Sequence, residues 1–135
     1  MKILLDTHLL VWYFSDDAKL STEARKLIED DENEVHYSIL SVMEVEIKHA
    51  AHPDKLSLSG ESFVEYCNKL GFVQTPLDVK HILEIKKLTR KENTPPHKDP
   101  FDRLMLCQAI VEDMLFITHD ARIAEYVVTP MVLKI

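Results

Sequence analysis

Four acids stand out by where they fall: Asp6, Glu44, Asp102 and Asp120. Asp6 closes the apolar run KILLD, and a carboxylate buried at the end of an apolar strand is costly unless a partner or a cation meets it. Asp102 and Asp120 fall at expected helix starts, where an acid also serves as a cap or complements the helix dipole. Glu44 read alone is an ordinary solvent-facing glutamate. Their significance lies in convergence. Carboxylates that face one another raise each other's proton affinity, and a cation between them relieves the repulsion most directly. An all-oxygen ligand set suits Mg²⁺, with Mn²⁺ as the alternative. Two such ions held roughly 3.5–4 Å apart stabilise the attacking and leaving oxygens of a phosphodiester displacement. The nucleophile is then a metal-activated water, so no serine or cysteine nucleophile with its base is needed, and none is evident.

Positioning these acids requires strands that end together. Residues 2–6 read as a short buried parallel strand, followed by a helix over 7–14. Ser21 is placed to cap a helix carrying Ala24, Leu27 and Ile28 on one face. VHYSI (35–39) is a second strand, and Ser38 or Ser41 caps the helix that carries Glu44 and runs to about Ala51. A helix over 61–70, a short strand over 72–74 and a helix capped by Asp78 follow. The polar loop 89–100 leads into a helix over 101–111. LFIT (115–118) is the next strand, a short helix spans 120–126, and MVLKI closes the sheet. Strand and helix alternate throughout, which argues a three-layer α/β/α domain around a mainly parallel sheet. In such sheets ligands bind at the carboxyl ends of the strands, and the four acids fall at that edge.

The 135 residues fit one domain, and with 46% hydrophobic residues a core forms without staples. Only two glycines occur, so there is neither a dinucleotide-binding loop nor a phosphate-cradling P-loop. Cys67 and Cys107 have no metal-ligand spacing and read as buried free thiols of a reducing compartment. The apolar start is interrupted at Asp6 with no small-residue cleavage site after it, and no run reaches the roughly 20 apolar residues of a membrane span. The expectation is a soluble, cytoplasmic protein with no membrane partner. The net charge of −7 argues mildly against a nucleic-acid partner, but an acidic cluster filled by divalent cations reverses sign at the spot a phosphate must approach.

The segments LLDTHLLVW, SVMEVEIK, HKDPFDRLMLCQA and FITHD, in this order and at these separations, resemble the PIN-domain ribonucleases, specifically the VapC-type toxins of type II toxin–antitoxin pairs. The resemblance covers nearly the whole chain. It implies a single PIN-like domain over 1–135 and a Mg²⁺-dependent endoribonuclease that hydrolyses RNA with a metal-activated water. It also implies a cognate antitoxin as partner and a homodimer. The family acids fall on Asp6, Glu44, Asp102 (seven residues before Ala109) and Asp120, as catalytic and metal-holding residues. Thr7 and Thr118 sit where the family often has small hydroxyl residues, and Asp99 either assists the site or caps the helix through its turn with Pro100.

Arg103 reads as a partner for a nearby carboxylate or for phosphate. His97 and His119 read first as surface histidines and second as proton carriers. The pair His49 and His52 lacks a third ligand for a metal. Trp12 and Tyr13 either pack the first helix or stack on a base. The basic stretch 86–98 is a solvated face or, beside the acids, a contact for RNA backbone. Two other readings remain. A phosphohydrolase of the aspartyl-nucleophile type needs Asp-x-Asp after the first strand, and this chain has Asp6-Thr7-His8. A catalytically inactive PIN-like interaction module would have no need of all four acids.

Overall fold

The computed structural model describes residues 1–97, 99–127 and 132–135. Strand β1 (Lys2–Leu5) leads into helix α1 (Thr7–Phe14) and then α2 (Thr22–Glu29). Strand β2 (Glu34–Ser38) feeds α3 (Ile39–Ala51) and α4 (Gly60–Lys69), and β3 (Val73–Thr75) feeds α5 (Val79–Leu83) with a 3₁₀ turn at Glu84–Lys87. Helix α6 (Pro100–Val111), β4 (Leu115–Thr118), a 3₁₀ turn at Ile123–Glu125 and β5 (Val132–Lys134) complete the chain. The short helix expected over 120–126 is thus only a single 3₁₀ turn. Met131, expected to open the last strand, lies outside the described residues.

The strands form one sheet in the order β3-β2-β1-β4-β5, and every pairing is parallel. The chain moves outward from β1 to β3, then returns to the other side of β1 for β4. The direction of winding therefore reverses between β1 and β4, which is where open parallel sheets place their ligands.

Alternation along β1 assigns the two covering layers. Ile3 and Leu5 pack on one face with Leu9 and Leu10 of α1, Ala24 and Ile28 of α2, and Phe63 and Cys67 of α4. Leu4 packs on the other face with Met105, Leu106 and Ala109 of α6 and with Phe116. Helices on both faces make the α/β/α sandwich. Both cysteines are buried free thiols, and burial pushes each thiol up to about 12. Among the described residues no helix is long and apolar enough to cross a membrane.

Helix starts are set by side-chain caps. Asp6 caps α1, Ser21 caps α2, Ser38 caps α3 and Ser59 caps α4, each accepting a backbone N–H. Of the two serines considered for α3, Ser38 is the cap. α6 starts at Pro100 with Asp99 as its cap, Pro occupying the position where a missing N–H costs nothing.

Candidate active site

The strand ends bring the acids together. Asp6 follows β1 and is locked into the sheet by its backbone N–H, which donates to the Ile117 carbonyl of β4 at 3.0 Å. Asp120 follows β4 with one residue, His119, between. Glu44 lies in the second turn of α3, and Asp102 in the first turn of α6. All four line one cleft of about 240 Å³, together with Asp99, Thr7, His8, Lys48 and Arg122. No sequence proximity links these residues. The parallel order of β1, β2 and β4 does.

Each carboxylate is held in place. Asp6 accepts the Thr7 N–H at 2.8 Å on Oδ1 and the Thr118 hydroxyl at 2.7 Å on Oδ2. Glu44 accepts the Thr7 hydroxyl at 2.9 Å, and Thr7 Oγ1 also lies 2.7 Å from Ser41 Oγ. Asp102 Oδ2 lies 3.1 Å from His97 Nε2, with side chains only 12% and 2% exposed. Asp120 is gripped by Arg122 through its backbone N–H, its Nε and its terminal nitrogen, at 2.8, 3.2 and 2.9 Å. Ligand atoms of His97, Asp102 and Asp120 all lie within 4.8 Å of one another.

The electrostatics record this crowding. Burial raises the Asp102 carboxyl to about 7, helped by the charges of Asp6, Asp99, Glu44 and Asp120. Burial also raises Asp6 against the opposing hydrogen bond from Thr118, with Asp120 adding to the rise. Glu44 rises for the same first reason, and Asp6 and Asp99 contribute. Asp120 alone moves down, because Arg122 donates to its ionised form. Three acids whose protons bind more tightly as they are brought together, in a cleft rich in oxygen donors, fit a hard divalent cation, which removes the repulsion that raises them.

Asp99 is the cap of α6. Its Oδ1 accepts the Phe101 N–H at 2.9 Å and the Asp102 N–H at 3.3 Å, and its exposed side chain lines the cleft. Thr7 lines the cleft, whereas Thr118 is fully buried and acts through Asp6. Arg103 does not line the cleft. It is half-buried on α6, and its charge acts on Cys107 and Tyr126.

Sequence reasoning underrated His97 and missed Arg122. His97 is buried rather than a surface residue: its carbonyl accepts the Tyr126 hydroxyl at 3.3 Å and its ring lies 5.7 Å from that of Tyr126. Burial and the nearby Arg122 hold the imidazole below its ordinary value. Arg122 had a sequence signal, an acid two residues before an arginine just past a strand. His119 is exposed and outside the cleft, His49 Nδ1 is engaged by the Leu56 carbonyl at 2.8 Å, and His52 is exposed. Lys98, within the basic stretch, lies outside the described residues.

The family model of the PIN domain matches residues 3–128. The chain belongs to the PIN domain family. Among 18 solved chains that match this PIN domain in structure, one comes from the crystal structure of VapBC2 from Rickettsia felis bound to a DNA fragment from their promoter. It has a TM-score of 0.70 at 15% identity, and the match covers 100% of this chain and 98% of that one. At that identity the likeness speaks for the fold. Comparison with curated protein sequences returned no significant match.

Proposed function

We propose that this PIN domain is a Mg²⁺-dependent endoribonuclease (Mn²⁺ being the alternative ion) and the toxin of a VapC-type toxin–antitoxin pair. The observation that carries the reading is the convergence of Asp6, Glu44, Asp102 and Asp120 on one cleft at the winding reversal of the sheet. PIN domains are generally nucleases that use divalent metals, and the fold likeness to a chain of a VapBC2 assembly supports the toxin assignment.

Asp6, Glu44, Asp102 and Asp120 are the residues that would hold the ion, with Asp99 auxiliary at the rim. A bound divalent cation offsets phosphate charge and lowers the pKa of an attacking water. The chain's own groups prepare that site. Thr118 and the Thr7 N–H fix both oxygens of Asp6, and the Thr7 hydroxyl fixes Glu44. His97, buried beside it, fixes Asp102. Arg122, 65% exposed on Asp120, is the cleft's guanidinium, placed to meet a phosphate oxygen as it enters. The antitoxin, a second copy of the chain and a cytoplasmic setting are the partners and location this reading implies.

The test is cleavage of single-stranded RNA by the purified chain. We expect cleavage with Mg²⁺ or Mn²⁺, its loss with chelator, and its loss in Asp6→Asn with an unchanged circular-dichroism spectrum. Undiminished cleavage by Asp6→Asn would refute the reading. Co-expression with the adjacent open reading frame, followed by co-purification, tests the partner.

A further inference from the structure

The acid cleft adjoins a second cavity of about 340 Å³, walled by Val11, Val45, Leu56 and His8 and rimmed by Lys48 and Lys55. Thr7, His8 and Lys48 line both spaces, so the two are contiguous. His8 is exposed and its ring stacks on Trp12, with centroids 5.9 Å apart and planes 16° from parallel. Trp12 packs against the core and meets His119 edge-on at 5.4 Å, and His119 is pinned by the Ile135 carbonyl at 2.7 Å from its Nδ1. His8 is thus the free end of a braced aromatic stack at the mouth of the acid cleft.

We propose that this cavity is the nucleobase subsite for the nucleotide next to the scissile phosphate of a single-stranded RNA, the base stacking on His8 and the flanking phosphate meeting Lys48 and Lys55. The proposal rests on the ribonuclease reading above. The size is near the lower end of small-ligand pockets. Aromatic stacking accepts any base and adds affinity for each base engaged, and only an unpaired strand can splay a base into such a cavity. Charge favours the strand over an apolar protein segment. In a chain of net charge −7, Lys48 and Lys55 both line this cavity beside Val11, Val45 and Leu56, and no acid lines it.

The experiment measures binding of a short fluorescent single-stranded oligoribonucleotide, and of the same strand made abasic, to the full chain carrying Asp6→Asn. We expect the base-bearing strand to bind about tenfold more tightly than the abasic one. Adding His8→Ala should erase that preference, and His8→Phe should keep it. Lys55→Ala should weaken both strands alike and flatten the salt dependence. Equal affinity for the two strands overturns the subsite, as does a preference that survives His8→Ala. If the unsubstituted chain still cleaves RNA in either case, the nuclease reading stands and the subsite alone falls. A base preference that depends on His8 in a chain that cleaves nothing supports the subsite and removes the chemistry. A protein partner that fills this cavity without displacing the oligonucleotide overturns the assignment to RNA.

Discussion

Asp102 registers the assembly of the cleft directly. Burial among four other acids holds its carboxyl at about 7, against about 3.9 in an unfolded chain. Without metal the folded state therefore keeps a proton that the unfolded state has lost. Stability contributed by this group is full below about pH 4 and falls as pH rises towards about 7. Asp102→Asn removes that penalty. Its melting temperature without metal at pH 7.5 should exceed the parent's, by an equivalent of roughly 1–3 kcal/mol given about 1.4 kcal/mol per pKa unit. The pH slope between 4 and 7 should flatten with it. A large fall in stability would mean the carboxylate is a structural cap. His97 belongs to the same scale: His97→Ala should weaken Mn²⁺ binding about 10–100-fold by freeing Asp102, and His97→Gln should recover part of it. Asp6 was legible in the sequence because an acid ending an apolar strand is anomalous by itself. His97 was not, because it sits in an irregular proline-rich loop with no periodicity, and only the fold sets it against Asp102 and Tyr126.

At the scale of elements, the junction of β2 and α3 carries Glu44. Ser38 is fully buried there; its hydroxyl accepts the Leu40 N–H and donates to Gln108 Oε1 of α6. Gln108 in turn donates to the carbonyls of Thr75, the last residue of β3, and of Pro76. One polar clasp thus joins β2, β3 and α6. Ser38→Ala removes the cap and leaves Gln108 short of a donor inside the protein, at a cost of about 2 kcal/mol. Urea unfolding measures it, and a change under 0.5 kcal/mol would show that the clasp is not holding these elements. Strands and caps were legible because apolar runs ending in Ser, Asp or Thr punctuate this chain; observed bounds differ from the expected ones by a residue or so. The segment after β4 was misread as a helix. Asp120 turns back on Arg122 instead of capping a continuing helix, and only three residues close into 3₁₀ geometry.

For the whole molecule, the parallel sheet makes the cleft a global property: it exists only when β1, β2, β4 and α6 are all docked. A ligand of the cleft therefore stabilises the folded chain as a unit, by about 2.7 kcal/mol at a hundred times its dissociation constant. Mn²⁺ should raise the melting temperature of the parent at pH 7.5 and leave that of Asp6→Asn nearly unchanged. The alternation of strand and helix made the three layers legible, since burial on both faces of a parallel sheet leaves a plain hydrophobic pattern. The order β3-β2-β1-β4-β5 was not legible, because side-chain pattern does not say which strands are neighbours. Calorimetric titration of Mn²⁺ into the metal-free chain at pH 7.5 decides whether the four carboxylates form one cation site. Saturable binding with proton release is expected, abolished in Asp6→Asn and strongly weakened in Asp102→Asn. Identical isotherms for all three proteins would contradict it.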